Sequence, residues 1–386
     1  MPTKTSTSPA SGSKNQPGQP VVAILTIDDE VQLFRGNRQN FADLIDTGRS
    51  MGITAYVVTV NQLKLNAPKV LGYTYKKDQE MWVQEWFPRP HVVYNRIPQR
   101  EDERLPHVRR KLSILAKHPE IRMFNRRFFN KWSLFRWLNA NPATRRYIPE
   151  TKKLTGPHVL TQLLKHHRML YLKPIRGKAG VGIMTVRVQP EKHLPYKLQI
   201  QDEKGRKTYR CASLQRLWNR VSQYAEATGE TYIAQQGIQL ASVGDRPFDL
   251  RVLAQKNHLG KWDLTGIGAR VAGSASLTTH VPRGGNIDDP DKLLTSIFGK
   301  EQAAQVMENV RSTVLKLARQ IEKASRHHLG EMSMDLGVDQ SGNIWFFEAN
   351  SKPMKFDEAD IRKQSLQRIF QYSQFLYRRS LKKESG

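Results

Sequence analysis

The amino-acid sequence predicts an α/β protein, with an open α/β domain near the N-terminus and antiparallel hairpins farther along the chain. Two observations carry this prediction. In the N-terminal part, apolar runs of strand length alternate with an amphipathic segment of helix length, as in open α/β sheets. Later apolar strands come in pairs joined by short polar turns that contain glycine, which is typical of antiparallel hairpins.

A strand, a helix and a second strand open the structured part of the chain. The helix presents Phe41, Leu44 and Ile45 on one apolar face. Gly52 is expected to end it, because glycine readily adopts the left-handed conformation found after helices. The predicted strands span residues 21–27, 53–60 and 91–97. This order, with short links, predicts an open α/β domain over residues 21–125.

Amphipathic helices and paired strands alternate in the rest of the chain. A basic helix is predicted over residues 128–141, with Leu134, Trp137 and Leu138 directed inward. A longer helix has apolar residues spaced three or four positions apart, namely Val306, Val310, Val314, Leu317 and Ile321. A basic helix over residues 360–381 is expected to complete the chain.

The hairpin at residues 332–350 carries three oxygen-bearing side chains on one face. If its strands pair symmetrically about the turn at residues 340–343, Asp335 lies opposite Glu348. Because side chains alternate between the faces of a strand, Glu348 and Asn350 point the same way. Opposed carboxylates repel and are costly to bury unpaired, and a hard dication such as Mg²⁺ removes both problems. The alternative is a solvated face on which both carboxylates pair with lysine or arginine.

A glycine-rich loop lies between two predicted strands in the segment YLKPIRGKAGVGIMTV. Gly177, Gly180 and Gly182 allow backbone N–H groups to approach phosphate oxygens closely. Lys173 on the entering strand can reach phosphates as a point charge. The loop lacks the Gly-Lys-Ser/Thr sequence of a Walker A loop, and an antiparallel hairpin is its expected setting. The alternative is a hairpin tip that needs no ligand.

Lysine and arginine exceed aspartate and glutamate by 27 residues. This excess favours anionic partners such as nucleotides, acidic polymers, nucleic acid or anionic surfaces. It is strongest between Arg96 and Arg146, where 14 basic residues accompany 4 acidic ones. No nucleic-acid recognition motif accompanies the charge, so nucleic acid is a partner without a supporting motif. The alternative is that the charge serves solubility alone.

Composition also restricts the class of protein. Cys211 is the single cysteine, which excludes an intrachain disulfide and a cysteine-based zinc site. No run approaches the roughly 20 apolar residues of a membrane span, and the N-terminus lacks the apolar core of a signal peptide. Residues 1–20 are rich in Ser, Thr, Pro, Gly and Lys, which predicts a disordered tail. We therefore expect a cytoplasmic protein without a membrane span.

The order of the motifs resembles the ATP-grasp superfamily over roughly residues 125–375. Lys131 near a helix start is followed by the lysine-and-glycine hairpin, by IAQQGI, by Asp249-x-Arg251 and by Asp…Glu-x-Asn. More narrowly, NKW at Asn130, KPIRGKAGVGI, DLRVL and FEANSKP are similar to the YheC/YheD-type proteins of endospore-forming bacteria. The segment VYNRIP and the α/β domain before it extend this closer resemblance over most of the chain.

The resemblance implies a two-lobed fold in which antiparallel sheets clamp ATP. Residues 126–238 would form the small lobe with the glycine flap, and residues 239–381 the C-terminal lobe with the metal site. The residues implied to bind the nucleotide are Lys131, Lys173, Gly177, Gly180, Gly182, Gln236, Gly237, Ile238 and Asp249. Among them, the backbone at Gln236, Gly237 and Ile238 would read the adenine edge. The implied ligands of Mg²⁺, or Mn²⁺, are Asp335, Glu348 and Asn350.

The resemblance also implies catalytic roles. Arg251 and Arg270 are candidates for binding the γ-phosphate and an acyl-phosphate, and His280 and Arg283 for lining the acceptor side. The alternatives are surface ion pairs for the two arginines and an ordinary loop histidine at position 280. Ser333 stands where several carboxylate–amine ligases have arginine. We therefore expect the acyl-phosphate to rely on Arg270, or the acceptor chemistry to differ.

The activity implied by the resemblance is that of an ATP- and Mg²⁺-dependent ligase, which phosphorylates a carboxylate and joins it to an amine or thiol. One alternative is an ATP-grasp kinase that phosphorylates a hydroxyl group. Another is a basic scaffold associated with the spore coat that has no catalytic role. The basic segment Arg96–Arg146 predicts an acidic acceptor, such as a glutamate-rich peptide or a phosphorylated precursor.

Overall fold

The computed structural model describes residues 18–176, 181–202, 205–272 and 286–384. The chain forms two compact units. Unit 1 contains the chain up to Arg127, the segment Lys256–Lys261 and the chain from Lys363 onward. Unit 2 contains Phe128–Gln255 and Trp262–Arg362. The finer division made from the sequence stays a prediction.

A six-stranded sheet with the order β4-β3-β2-β1-β5-β6 forms the centre of unit 1. Its strands are β1 (Val21–Thr26), β2 (Thr54–Thr59), β3 (Lys69–Lys76), β4 (Met81–Pro88), β5 (Val92–Asn95) and β6 (Arg122–Phe124). Strands β1, β2, β5 and β6 are parallel, whereas β3 and β4 form an antiparallel hairpin at one edge. The predicted open α/β arrangement is confirmed, and the edge hairpin was not predicted.

Helices cover both faces of this sheet. They are α1 (Arg38–Ser50), α2 (Pro106–Leu115) and the C-terminal helix α9 (Ala359–Glu384), together with a 3-10 turn at Asp102–Arg104. Phe41, Leu44 and Ile45 of α1 are buried as predicted, in a cluster that includes Phe370 of α9. Gly52 follows α1 with a φ of 69°, as expected of a residue that ends a helix. Because both faces are covered, every residue of β1 is buried.

The first sheet of unit 2 is antiparallel and has the order β11-β10-β9-β8-β12-β7. Its strands are β7 (Thr151–Lys153), β8 (Met169–Pro174), β9 (Ile183–Val188), β10 (Tyr196–Asp202), β11 (Gly205–Cys211) and β12 (Tyr232–Gln236). Helices α5 (Pro157–Leu164) and α6 (Leu214–Thr228) bury Leu160, Leu163 and Leu217 in one cluster with strand residues. The glycine-rich loop therefore joins two antiparallel strands, β8 and β9, as predicted.

The second sheet of unit 2 has the order β16-β15-β14-β17-β18, with β13 paired to β14. Its strands are β13 (Ser242–Val243), β14 (Arg246–Lys256), β15 (Trp262–Val271), β16 (Asn286–Asp288), β17 (Glu331–Val338) and β18 (Ile344–Asn350). The remaining helices are α3 (Lys131–Asn139), α4 (Pro142–Arg145), α7 (Pro290–Phe298) and α8 (Lys300–Ser325). The predicted apolar stripe of α8 is buried in the core of this sheet.

None of the helices in the described ranges combines the length and the apolar character needed to cross a lipid bilayer.

Candidate functional site

Strand alternation gives the second sheet of unit 2 one apolar and one polar face. Leu250 and Val252 of β14 and Met334 of β17 are buried in the core shared with α8. Neighbouring residues on these strands therefore lie on the opposite face. We call this opposite side the polar face and define it by Asp249, Arg251, Arg270, Asp335 and Glu348.

The hairpin of β17 and β18 has the predicted register. Asp335 pairs with Glu348 and Ser333 with Asn350, and the register shifts between Asp335 and Leu336. Glu348 and Asn350 lie two residues apart on β18 and so share a face. The three predicted metal ligands thus lie on the same side of the sheet. No group of three His, Cys, Asp or Glu side chains that could hold a metal ion occurs in the described part of the chain.

Arg270 joins two carboxylates of the polar face. Its Nε and Nη2 donate to the two carboxylate oxygens of Asp249 at 2.8 and 2.9 Å. Its Nη2 also lies 2.9 Å from Asp335 Oδ2. Burial acts to lower the pKa of Arg270, but the charges of Asp335 and Asp249 and their hydrogen bonds raise it overall. Arg270 is only 7% exposed, so the alternative of a surface ion pair is wrong for this residue.

Lys131 neutralises the second carboxylate. It begins helix α3, whose N-terminus is capped by the side chain of Asn130. Phe135 of α3 packs against Phe346 of β18, with ring centroids 5.9 Å apart, and this contact holds the helix over the strand. The Lys131 Nζ lies 2.6 Å from Glu348 Oε1.

The two opposed carboxylates are therefore each paired with a cation. The sequence left open whether they bind a metal or pair with lysine and arginine on a solvated face. They do pair with Arg270 and Lys131, but Asp335 is only 8% exposed and the face is not freely solvated. Pairing of this kind removes the mutual repulsion expected from the sequence.

Lys173 of β8 is half-buried and lacks an ion-pair partner among the described residues. Its Nζ donates to Gln235 Oε1 at 2.7 Å and lies 5.5 and 5.4 Å from the ring centroids of Tyr171 and Phe347. Burial, followed by the charge of Lys131, lowers the pKa of Lys173 to about 8. Burial makes the charged form of this ammonium group unfavourable, and a bound anion beside it would offset that cost.

Arg251 is the second cation of the site without a carboxylate at ion-pair distance in the described part. It is half-buried, its Nη2 donates to the Met354 carbonyl at 3.3 Å, and its guanidinium lies 4.8 Å from the Phe356 ring centroid. Burial lowers the pKa of Arg251, although the charge of Asp335 opposes the shift. The predicted alternative of a surface ion pair is wrong here as well.

The glycine-rich loop is described only at its ends. Gly182 has a φ of 75°, and a side chain there would lie 3.1 Å from the Tyr232 hydroxyl. That hydroxyl donates to the Gly182 carbonyl at 3.0 Å, and burial raises the pKa of Tyr232 to about 12. Gly182 therefore anchors the loop to β12. The other predicted loop glycines and acceptor residues, Gly177, Gly180, His280 and Arg283, lie outside the described residues.

Two of the three backbone N–H groups in the predicted hinge are engaged in hydrogen bonds within the protein. The N–H groups of Gln236 and Gly237 already donate to the carbonyls of Glu150 and Met169, both at 2.8 Å. The Gln236 side chain also accepts from the Glu150 N–H at 3.1 Å. In the described ranges, the Ile238 N–H donates to no protein group. Among the N–H groups of these three residues, that of Ile238 is therefore available to bind a base in the described ranges.

Sequence reasoning missed the residues that hold Lys173. Gln235 is fully buried and donates through Nε2 to Thr151 Oγ1 at 2.9 Å, which orients its oxygen toward Lys173. The only signal was a glutamine directly after the apolar start of strand YIAQQ. The Phe347 ring gave no signal, because an aromatic residue in a strand usually indicates a core position.

Two further residues of β17, Glu331 and Ser333, lie on the same side of the strand as Asp335. Glu331 is buried and accepts from Gln255 Nε2 at 3.1 Å, so it is not a surface residue. The Ser333 hydroxyl is fully buried and forms no hydrogen bond with any described residue. It lies on the same side of β17 as Asp335, at the position where several carboxylate–amine ligases have arginine.

Comparison with known proteins identifies similar chains. Two proteins of Bacillus subtilis (strain 168) align over most of the sequence. "Endospore coat-associated protein YheD" is 26% identical over 86% of this chain and 72% of its own length. "Endospore coat-associated protein YheC" is 22% identical over 81% of this chain and 84% of its own length.

Solved structures with a similar course of the chain include an ATP-grasp ligase, PsnB, complexed with a minimal precursor. It is 12% identical with a TM-score of 0.47, and the match covers 87% of this chain and 92% of PsnB. D-alanyl-alanine synthetase A from Vibrio cholerae O1 biovar eltor str. N16961 is 12% identical with a TM-score of 0.48, covering 94% and 98% of the two chains.

A family model described as YheC/D like ATP-grasp matches residues 120–376, which include both sheets of unit 2 and every residue of the polar face. Since this match spans well over half of the sequence, the chain belongs to the YheC/D-like ATP-grasp family.

Proposed function

We propose that this protein binds ATP with Mg²⁺ between Lys173 and the polar face, and uses it to join a carboxylate to an amine or thiol. Membership of the ATP-grasp family supports nucleotide use. One observation carries the proposal. Two half-buried cations, Lys173 and Arg251, have no carboxylate at ion-pair distance in the described part, while Asp335 and Glu348 face each other nearby.

Phosphate groups fit the two unpaired cations. A half-buried cation without an anion is costly, and the lowered pKa of Lys173 reflects that cost. Charge-assisted hydrogen bonds from Lys173 and Arg251 to phosphate oxygens would offset it. We assign the γ-phosphate to Arg251, because Arg270 is held by Asp249 and Asp335 and instead fixes the position of Asp335.

The donor set on the hairpin fits a magnesium ion. Asp335, Glu348 and Asn350 present hard oxygen atoms on one side of β17 and β18, and Mg²⁺ prefers one or two carboxylates completed by substrate phosphates. Bound there, the ion would neutralise charge on the γ-phosphoryl oxygens. Lys131 stands beside Glu348 and would contribute a further positive charge next to the phosphates.

The hinge would bind the base. The free N–H of Ile238 can donate to a ring nitrogen of adenine. The hydrogen bonds between Gln236 and Glu150 and between Gly237 and Met169 hold the hinge backbone in place. The adenine would therefore meet a preorganised edge, which reduces the ordering cost of binding.

The proposed reaction has two steps. An oxygen of the substrate carboxylate attacks the γ-phosphorus and ADP leaves, giving an acyl-phosphate. The amine or thiol then attacks the acyl carbon, loses a proton, and inorganic phosphate leaves as the amide or thioester forms. Catalysis consists of positioning and of cations already in place where charge develops. Arg251, Lys131 and Lys173 supply these cations in the described part of the site.

Product analysis tests the proposal. The protein is incubated with ATP, Mg²⁺ and pooled carboxylates and amines, and ADP, phosphate and coupled product are measured. A ligase releases ADP and free phosphate only when both acceptors are present. Glu348→Gln should lose this activity, whereas Glu308→Gln, which removes an exposed carboxylate on α8, should retain it. Absence of turnover across a broad panel would support the non-catalytic scaffold instead.

A kinase is the second candidate. Ser333 in place of arginine favours it, since the site then lacks one cation expected for an acyl-phosphate. The buried Ser333 hydroxyl also has no hydrogen-bond partner in the part of the chain that the structure describes. A kinase would leave a stable phosphoester and no free phosphate in the same assay. Only the ligase forms a product in which the two acceptors are coupled.

An acidic acceptor and a spore-associated location are further parts of the proposal. The basic segment Arg96–Arg146 supports the acidic acceptor, and polyglutamate should then inhibit turnover more than salt of matched ionic strength. The names of the two relatives support association with the endospore coat. Fluorescence of a tagged chain in a sporulating host should then concentrate around the forespore, and uniform fluorescence in the mother cell would contradict it.

A further inference from the structure

The parallel strands of unit 1 have a topological switch point between β1 and β5, at the sheet edge formed by their carboxyl ends. Strand β1 continues through α1 to β2 on one side, while β5 lies against its other side. The carboxyl ends of β1 and β5 are therefore followed by segments that leave in opposite directions. In open α/β sheets, ligands bind outside the carboxyl ends of strands at such a point.

Buried polar atoms without hydrogen-bond partners concentrate at this edge. Within the described ranges five buried side-chain nitrogen or oxygen atoms lack a partner, and four of them lie here. The four atoms are Asp28 Oδ2, Arg38 Nε, Asp102 Oδ2 and Arg126 Nε. We call the four residues the edge cluster. Each follows the carboxyl end of a parallel strand, either in the next loop or turn or at the start of the next helix.

Hydrogen bonds bring the segments of the edge cluster together. Arg35 Nη1, in the loop after β1, lies 3.0 Å from Asp102 Oδ1 in the 3-10 turn after β5. Asn95, the last residue of β5, donates through Nδ2 to Glu103 Oε1 at 3.1 Å and to the Arg126 carbonyl at 2.9 Å. Three segments separated in sequence thus meet at the carboxyl ends of β1, β5 and β6.

The four partnerless atoms of the edge cluster are a cost to the folded protein, and no described residue offsets it with a hydrogen bond. A buried polar atom without a hydrogen bond costs about 1–3 kcal/mol, and native structures contain few of them. The loop after β1 also exposes two apolar side chains, Val31 at 94% and Leu33 at 47%. A ligand bound at this sheet edge would form hydrogen bonds with the four polar atoms and would also cover Val31 and Leu33.

The chemistry of the cluster defines the ligand. Asp28 and Asp102 offer carboxylate oxygens that accept, whereas Arg38 and Arg126 offer guanidinium nitrogens that donate. A simple anion would meet two carboxylates, and a simple cation would meet two guanidinium groups. We propose that the edge cluster binds a small zwitterion, a molecule that carries both an ammonium and a carboxylate group. This proposal does not rest on the nucleotide site proposed above.

Binding of amino acids and their singly charged analogues tests the proposal. The full chain, without nucleotide, is titrated with alanine, propionate and ethylamine at matched ionic strength and then with the other common amino acids. Thermal unfolding and calorimetry give the shift in midpoint and the affinity. Amino acids should raise the midpoint, whereas propionate and ethylamine should not. The best ligand should lose about tenfold or more in affinity with Asp28→Asn or Arg38→Gln.

Two matched variants control for nonspecific effects. Glu30→Gln removes an exposed carboxylate from the same loop, and Arg49→Gln removes an exposed guanidinium group from the other end of α1. Both should bind like the unaltered protein. Asp28→Asn should remain folded, because its buried oxygen has no protein partner to lose in the described part.

Three results would overturn the proposal. One is that no common amino acid raises the unfolding midpoint. Another is that propionate or ethylamine alone binds as tightly as alanine. The third is that Asp28→Asn and Arg38→Gln bind like the two control variants. Because no nucleotide is present in these measurements, each result leaves the proposed ligase activity untouched, and failure of the ligase assay leaves this site untouched.

Discussion

The polar face of unit 2 and the edge cluster of unit 1 both bury charged side chains, but they satisfy them differently. On the polar face Arg270 bonds to Asp249 and Asp335, and Lys131 pairs with Glu348. In the edge cluster, Asp28, Arg38, Asp102 and Arg126 each keep one buried atom that has no hydrogen-bond partner among the described residues. We infer that the paired charges of the polar face stabilise the fold, whereas the four partnerless atoms of the edge cluster are available to a ligand.

The largest expected effect tests the paired side of this comparison. Arg270→Met should destabilise the protein by about 3–5 kcal/mol, because it leaves Asp249 and Asp335 buried without their shared cation. Urea unfolding followed by circular dichroism measures the loss. Arg246→Met removes an exposed arginine from the start of β14 and should cost little. A loss of less than about 1 kcal/mol for Arg270→Met would mean that the pairing does not stabilise the fold.

The hairpin shows what the sequence can and cannot predict about such pairing. Strand alternation and a central turn were enough to predict that Asp335 faces Glu348, because both signals are local. The cations that neutralise them were not predictable in these roles. Lys131 and Arg270 reach the hairpin from α3 and β15, elements far away in sequence, and only tertiary packing decides which of many basic residues arrive there.

In the fold, too, features set by local sequence patterns were predictable, whereas features set by tertiary packing were not. The order of β1, α1 and β2 was predicted because apolar runs with short links leave few topologies. The β3–β4 hairpin was missed, because it is an edge hairpin and several positions of β4 are exposed, which weakens the apolar pattern. The edge cluster left no sequence signal, since four charged residues in separate segments become related only through the sheet.

The next effect concerns the metal ligands. Glu348→Gln should lower Mg²⁺-dependent ATP turnover by at least about 100-fold, because a neutral amide replaces a carboxylate next to the developing charge. The fold should persist, since the amide oxygen can still accept from Lys131. Turnover and the unfolding midpoint are measured on the same preparation. Turnover equal to that of Glu308→Gln would remove Glu348 from the proposed metal site.

A smaller effect comes from the unpaired cation Lys173. Because its pKa in the free protein is lowered to about 8, nucleotide binding should favour the protonated form and raise that pKa. Affinity for a non-hydrolysable ATP analogue should then be independent of this group below pH 8 and fall by up to about tenfold per pH unit above it. Calorimetry from pH 7 to pH 10 measures the profile.

Lys173→Arg provides the control for that profile. A guanidinium group stays charged throughout this range, so the decline above pH 8 should disappear even if overall affinity changes. The stability of the free protein should change with pH in the opposite direction to the affinity, rising as the pH rises. A lysine whose pKa is lower in the folded state destabilises the free protein when charged, and this cost should lessen between pH 8 and the ordinary lysine pKa of 10.5. If the affinity of Lys173→Arg for the analogue still falls above pH 8, the decline arises from another titrating group.

The smallest expected effect concerns the edge cluster of unit 1. Asp28→Asn should leave the stability of the ligand-free protein within about 1 kcal/mol of the original, or raise it slightly, because the lost oxygen has no protein partner in the described part. Urea unfolding under the conditions used for Arg270→Met gives the comparison directly. A loss as large as that of Arg270→Met would mean that Asp28 stabilises the fold, and an unpaired buried charge would then no longer indicate a ligand site in this protein.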